Sequence, residues 1–528
     1  MFIPLTPLRY LQRAVDLYGN KAGIVSGDRT FTYAGFGERC RRLASGLEYL
    51  GIQPGDRVAY LSFNNHQLLE GYYGVSQARA VAMPLNVRLS PVELGAILCH
   101  SGARALIFEP DFAPLVEKLR PACPALERCI AIGDRIAPAD LTYEEMLAQG
   151  RPEPADIMPY DENAPAELFY TSGSTGTPKG VLLSHRTLYL HALDILTDMK
   201  CDDTSVELHT IPLFHANGWG RPQIATLMGA KQVMVRRFEP AAVSRLIVEH
   251  RATTMSLVPT MAVALLNLPN LAEFDFSSLR LIMIGGAPSS PLLIERMEKA
   301  FGCRTIAGYG LTETAPVVST GRPKSTAPPA SEAERYRRQA MAGLPFPGVE
   351  FRVVDPEFHD VPRDLQSIGE LIVRSDHVMD GYYKDPQGTA AVLTNGWLRT
   401  GDMAVWDEET YIHIVDRKKE IIVSGGENIS SIEVEKAILN HPDVYECAVV
   451  AAPDDLWGEV PAAVVVRNPG AALTAEQLSK FLEGLLGKFK LPRRIEITDE
   501  QLPKTGTGKI RKLEIRERFW AGKQRRVH

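Results

Sequence analysis

From about Arg57 to Gly308, short runs of β-favouring residues alternate with helical patterns, and this alternation constrains the fold more than any other feature of the sequence. A strand, a helix and a second strand close most readily as a parallel pair with a crossover helix. The runs at 57–63, 105–109, 231–235, 253–258 and 279–284 are the expected strands. Helix starts stand between them. Ser90-Pro91-Val92-Glu93 reads as a capping box with proline at the first helical position, and Ser290-Pro291 repeats the cap-then-proline order. After Ser184, the residues Leu188, Ala192, Ile195, Leu196 and Met199 recur at helical spacing and give one buried stripe. The expected class is layered α/β.

A chain of 528 residues exceeds what one hydrophobic core supports, so further units are expected. Between 348 and 406 the runs shorten and the turns crowd, which predicts a small β-rich subdomain. After Asp416-Arg417-Lys418-Lys419 the pattern becomes compact α+β, with a strand at 448–452, a helix at 474–487 and a strand at 494–497. We therefore expect a large N-terminal domain over 1–416, a hinge at 417–419 and a small mobile C-terminal domain over 420–528. The segment 321–341, with Pro328-Pro329 and a charged run at 332–338 lacking a buried stripe, reads as a surface excursion.

Composition excludes several classes. With 45% hydrophobic and 23% charged residues the chain is neither disordered nor a coiled coil, and a net charge of -6 gives no general attraction to nucleic acid. Its seven cysteines are scattered without a C-x-x-C pair, which argues against structural zinc and against a disulfide framework. No run of about 18 apolar residues and no charged leader followed by an apolar run occurs, so the expectation is a cytoplasmic, reduced protein without a transmembrane segment.

The sharpest chemical signal is Tyr170-Thr171-Ser172-Gly173-Ser174-Thr175-Gly176-Thr177-Pro178-Lys179-Gly180-Val181, directly after the strand-like run 166–170. Glycines let backbone N–H groups converge on an anion, while hydroxyls and a lysine add donors and charge. Such a loop suits polyphosphate. Pro178 separates the glycines from Lys179, so the spacing is not G-x-x-x-x-G-K-[ST], and a P-loop kinase is disfavoured.

This tract resembles the phosphate loop of the acyl-adenylate-forming superfamily, which comprises acyl-CoA synthetases, peptide-synthetase adenylation domains and beetle luciferases. The superfamily's other tracts stand in order: Gly285-Gly286-Ala287-Pro288, Tyr309-Gly310-Leu311-Thr312-Glu313, Arg399-Thr400-Gly401-Asp402, Val415-Asp416-Arg417, Gly425-Gly426-Glu427-Asn428 and Pro503-Lys504-Thr505-Gly506-Thr507-Gly508-Lys509. The similarity runs from Thr32-Tyr33 to Lys509. It implies that Thr171, Ser172, Gly173, Ser174, Thr175, Gly176 and Lys179 hold the ATP phosphates, and that Gly286, Ala287, Pro288, Gly308, Tyr309 and Gly310 receive the adenine. By the same resemblance Thr312 contacts the α-phosphate, Glu313 holds Mg²⁺, and Asp402 and Arg417 bind the ribose. Lys419 falls at the hinge, Lys509 is the adenylation lysine, and Gly425 and Gly426 line the channel for coenzyme A. His215, Trp219 and Gly310 line the acyl pocket, with His215 as the acid-binding histidine. The segment Pro212-Leu213-Phe214-His215-Ala216-Asn217-Gly218-Trp219-Gly220 and the excursion after Glu313 are similar to bacterial medium- and long-chain fatty acyl-CoA synthetases.

The resemblance thus implies two half-reactions. A carboxylic acid attacks the α-phosphorus of MgATP to give acyl-AMP and pyrophosphate, and after a rotation of the small domain the thiol of coenzyme A takes the acyl group and releases AMP. The implied partners are the acid, ATP and coenzyme A, with a homodimer left open. Two other readings use the same residues: a ligase that loads the thiol of a carrier protein, and a catalytically silent binding protein on the same scaffold. The latter is disfavoured because Lys179, Glu313, Asp402 and Lys509 are all present.

Overall fold

The five expected strands all form, each trimmed at one end or both, and they fall into two different sheets. In the computed structural model, which describes residues 2–521 except 154, 155, 157, 159, 172–177, 418, 419, 425, 426, 455, 456, 484 and 505–508, the described residues form four sheets. In the nine-stranded sheet, Lys231–Met234, Val206–His209, Thr254–Leu257, Leu281–Ile284 and Arg304–Gly310 run parallel, in that spatial order. The eight-stranded sheet has Pro165–Thr171, Val81–Pro84, Arg57–Leu61, Ala105–Phe108 and Arg128–Ala131 parallel at its centre. Helices cover these sheets because strands buried on both faces need apolar layers on each side. Their starts follow the sequence. The Ser90 hydroxyl accepts from Glu93 N at 3.3 Å while the Glu93 carboxylate accepts from Ser90 N at 2.8 Å. Helix His185–Met199 follows its cap Ser184 and buries Leu188, Ala192, Ile195 and Met199, with Leu196 half-buried.

The predicted β-rich unit is a five-stranded sheet built on Val349–Val354, Gly369–Ser375 and Trp397–Trp406, and Ile412–Arg417 pairs with the last of these. The large N-terminal unit therefore carries its final strand up to Arg417. Beyond it, Ile422–Ser424, Glu427–Ile429, Val444–Asp454, Gly458–Arg467 and Arg494–Thr498 form the fourth sheet, flanked by Ser431–Leu439, Ala475–Glu483 and Lys512–Trp520. This is the small α+β C-terminal domain. Among the described residues, no helix is long and apolar enough to cross a membrane.

One expectation is corrected. The charged run at 332–338 is not a bare surface excursion but the helix Glu332–Gln339, which buries Tyr336 and Gln339. Its Ser331 cap accepts from Glu334 N at 3.2 Å, and Arg335 and Gln339 both reach Glu298 at 2.7 Å. A helix of two turns needs only one large side chain to dock, so no stripe is visible in its sequence. Tyr336→Ala should lower stability by about 3 kcal/mol, the usual loss for truncating a buried aromatic, whereas Arg337→Ala should cost under about 0.5 kcal/mol. Urea unfolding of the two variants would check the difference.

Candidate active site

Two antiparallel strands set the centre of the site. Trp397–Trp406 and Ile412–Arg417 pair so that Asp402 faces Arg417, and Arg417 Nε lies 2.6 Å from Asp402 Oδ1. The second carboxylate oxygen accepts from the Tyr309 hydroxyl at 2.6 Å. Tyr309 arrives from the nine-stranded sheet, on Arg304–Gly310. The Thr400 hydroxyl donates to the Leu371 carbonyl at 2.6 Å and accepts from Asp402 N at 3.1 Å, which fixes the local backbone. Burial pushes the Asp402 carboxyl above its ordinary value, and Arg417, Tyr309 and Lys509 pull it back.

Glu313 sits on the single turn Thr312–Thr314, immediately after that strand, and both Thr312 and Glu313 are half-buried. The Tyr382 hydroxyl donates to Glu313 Oε1 at 2.9 Å, and the Lys179 ammonium lies 4.4 Å from the centre of the same Tyr382 ring. Lys179 is held opposite Thr171 in the antiparallel pair of Pro165–Thr171 and Lys179–Ser184, so both ends of the phosphate-loop tract are fixed on adjacent strands. Tyr382 was missed in the sequence. Its only signal there is an aromatic pair after Gly381, and the role depends on the short strand Gly381–Tyr382 pairing with Val181 and Leu182.

Lys509 comes from the C-terminal domain. A cleft of about 420 Å³ is lined from the large domain by Gly286, Ala287, Pro288, Gly308, Tyr309, Gly310, Asp402 and Arg417, and from the small domain by Lys509. A methyl group built at Gly286, where φ is +77°, would lie 3.8 Å from Lys509 Cε. The lysine is anchored three residues downstream, where Lys512 Nζ reaches Glu435 Oε1 at 2.8 Å and donates to Ser431 Oγ at 2.7 Å. Ser431 N in turn donates to Asp416 Oδ2 at 2.6 Å, tying the small domain to the last strand of the large one. The Lys509 side chain opens onto the cleft but is surrounded by protein groups. Desolvation, then Arg417, bring its ammonium down to about 8, against the opposing pull of Asp402, Glu420 and Glu313.

Trp219 stands against the Gly285-Gly286 turn, and His215, four residues earlier and half-buried, feels the charge of Lys509. Methyl groups built at Gly285 and Gly286 would lie 3.1 Å from Trp219 Cζ3 and 3.3 Å from Cζ2, so the indole fills the space that glycines leave. Burial, then Lys509 and Arg88, hold the His215 imidazole down at about 3. His215 is therefore neutral near pH 7 and offers a hydrogen bond rather than a charge. Ser172, Gly173, Ser174, Thr175, Gly176, Lys419, Gly425 and Gly426 lie outside the described residues.

A carboxylate–arginine–tyrosine cluster on one wall of a cleft, with a lysine delivered by a second domain, occurs here in a chain with known relatives. The AMP-binding enzyme model matches residues 11–383, and the AMP-binding enzyme C-terminal domain model matches 433–509. The chain belongs to the AMP-binding enzyme family. It is 40% identical to a long-chain-fatty-acid–CoA ligase of Thermus thermophilus, over 97% of this chain and 95% of that protein. It is 38% identical to a feruloyl-CoA synthase of an Amycolatopsis species, over 93% of this chain and 95% of that one. The solved structure of the anthranilate CoA ligase AuaEII in complex with anthranoyl-AMP superposes with a TM-score of 0.90 at 25% identity, covering 98% of each chain. Within the family the chain is an AMP-forming acyl-CoA ligase.

The position of Lys509 gives a pH dependence with a definite sign. A lysine lowered to about 8 is cationic below that pH and neutral above it, so kcat/KM for ATP should fall as pH rises through about 8. Lys509→Arg, whose guanidinium stays charged, should remove that falling limb even if its maximum rate is lower. Steady-state kinetics from pH 6 to 10 would test both curves.

Proposed function

We propose that this ligase activates a medium- or long-chain fatty acid as its acyl-AMP and transfers the acyl group to coenzyme A, using the residues gathered in the cleft. Asp402 and Arg417 hold the ribose hydroxyls, Tyr309 stacks on the adenine beside Gly286, Ala287 and Pro288, and Lys179 with the loop 171–177 takes the phosphates. Thr312 contacts the α-phosphate. The acid enters from the side of His215 and Trp219, and its carboxylate attacks the α-phosphorus in line, with pyrophosphate leaving. Lys509 stands between the two anions and offsets the charge that builds as they approach. The small domain then turns about 417–419, withdraws Lys509 and brings 425–426 toward the cleft for the thiol.

The donor set fits Mg²⁺. Among the described residues no group of three His, Cys, Asp or Glu side chains forms a protein cage, while Glu313 and Lys179 both contact Tyr382. A cation held by one carboxylate and by substrate phosphates is the usual Mg²⁺ arrangement, and it would neutralise phosphate charge there. The single observation that supports adenylation most is the placement of Lys509 Cε next to Gly286 in a cleft that also contains Asp402 and Tyr309. For a fatty acid, the support is the apolar wall formed by Val258, Pro259 and Val263 and the likeness to the Thermus ligase. An aromatic acid is the second reading, supported by the likeness to feruloyl-CoA synthase.

AMP release against a panel of fatty, branched and aromatic acids, with and without coenzyme A, tests the substrate. Release that is fastest with aromatic acids would overturn the fatty-acid reading. Trp219→Ala should change the chain-length profile more than it changes the KM for ATP, and an unchanged profile would return Trp219 to a packing role. Lys509→Ala should slow acyl-AMP formation by about 10²–10³, the usual worth of one preorganised charged donor, while leaving transfer from supplied acyl-AMP to coenzyme A near its normal rate. Measuring the half-reactions separately decides this. Equal loss in both would rule out alternation of the small domain.

A further inference from the structure

Two cysteines outside the cleft stand in contact. Cys99, with an exposed side chain, lies on the helix Pro91–Ser101, and Cys123 follows the single turn Arg120–Ala122 and is buried. Their sulfurs are 3.1 Å apart, and Cys99 Sγ also donates to the Ala122 carbonyl at 3.2 Å. A disulfide holds its sulfurs at about 2.05 Å, so closure requires a movement of roughly 1 Å. Cys99, exposed in the last turn of its helix, takes a share of that movement, because Cys123 is buried and its sulfur also donates to the Gly95 carbonyl at 3.8 Å.

The same helix end is fastened to the phosphate-binding side of the cleft. His100 Nδ1 lies 2.7 Å from the hydroxyl of Tyr170, the residue before Thr171 at the entrance to the loop. Lys384 Nζ donates to the His100 carbonyl at 2.9 Å, and the Tyr383 hydroxyl donates to the Ser101 carbonyl at 3.2 Å. Tyr383 directly follows Tyr382, whose hydroxyl holds Glu313. A pull on Cys99 is thus passed within one or two residues to both strands that frame the phosphate loop.

We propose that Cys99 and Cys123 form a reversible oxidation site whose closure as a disulfide weakens the use of ATP. The oxidant is a peroxide. Exposed Cys99 attacks the peroxide oxygen and becomes a sulfenic acid, with one water leaving. The Cys123 sulfur then attacks that sulfenic sulfur, the S–S bond forms, and the hydroxyl departs with the Cys123 proton as a second water. A dithiol reverses the bond by exchange.

The test uses the full chain treated with hydrogen peroxide, quenched, and mapped as non-reduced peptides, with ATP kinetics before and after dithiothreitol. The expected results are a Cys99–Cys123 cross-linked peptide, a loss of about tenfold in kcat/KM for ATP, and recovery on reduction. Displacement of about 1 Å near a reacting group is enough for a loss of that size. Cys99→Ser and Cys123→Ser should each keep their untreated activity and resist peroxide. Absence of the cross-linked peptide overturns the proposal, as does a cross-link without kinetic loss or an equal loss in the Cys123→Ser variant. The peptide map does not depend on which acid the enzyme takes.

Discussion

A carboxylate that is 2% exposed needs a cation to remain charged, and the pairing of Asp402 with Arg417 organises the rest of the molecule around the cleft. The pair exists because two strands of the β-rich sheet are in one register, with residue 402 opposite residue 417. Arg417 is also the last residue of its strand, so the wall of the site and the end of the large domain coincide. The arginine side chain is 45% exposed to the cleft, which screens the pair and leaves the carboxylate able to exchange partners with a polar ligand. Tyr309 joins a second sheet to the same carboxylate, and Lys509 arrives from a second domain. Two sheets and the C-terminal domain thus meet at one buried acid.

A run of left-handed backbone stands next to the Gly285-Gly286 turn. Ala216, Asn217, Gly218, Trp219 and Gly220 all have positive φ, from +42° to +72°, a left-handed turn of five residues. Each non-glycine residue there costs roughly 1–2 kcal/mol. Asn217 offsets part of this cost: its carbonyl oxygen accepts from Gly220 N at 2.7 Å, and its amide donates to Glu167 Oε2 at 3.2 Å. Burial pushes Glu167 up to about 8, so it keeps its proton near neutral pH and no bare charge lies beneath the turn. The turn carries Trp219 onto the Gly285-Gly286 backbone, where only residues without side chains permit the approach. Strain of this kind persists where the surroundings over-determine it, as the buried Glu167, Asn217 and Trp219 contacts do here.

Much of this was legible in the sequence because each signal was local. Capping boxes and the switch from helical to strand periodicity depend on neighbouring residues, and Ser90 and Ser184 cap their helices as the sequence implies. What was hidden depends on register or on long-range packing. Tyr382 contacts Glu313 across 69 residues of sequence, through a strand of two residues with no periodicity to detect. Tyr336 docks a charged helix by a single side chain, and the contact of Cys99 with Cys123 joins elements that sequence spacing alone leaves unrelated. The left-handed turn was invisible for another reason, since three of its five residues are not glycine.

The electrostatics of Lys509 connect the two proposed half-reactions. In the cleft its ammonium faces Arg417, a like charge that, with desolvation, lowers it to about 8. In the proposed function the phosphates of ATP lie between the two cations, which would turn that repulsion into attraction. Once pyrophosphate has gone, much of the negative charge leaves with it and the repulsion returns. Lys512 bears on the same balance, because its contacts with Glu435 and Ser431 lie within the small domain and travel with it, whereas the bond from Ser431 N to Asp416 crosses to the large domain. Ser430 Oγ also donates to the Val415 carbonyl and Lys436 Nζ lies 3.2 Å from His413 Nε2, so a few hydrogen bonds and a charge repulsion sit at the boundary. The proposed two half-reactions need such a joint to turn as a unit when its ligand changes charge, since one cleft would then serve two successive nucleophiles.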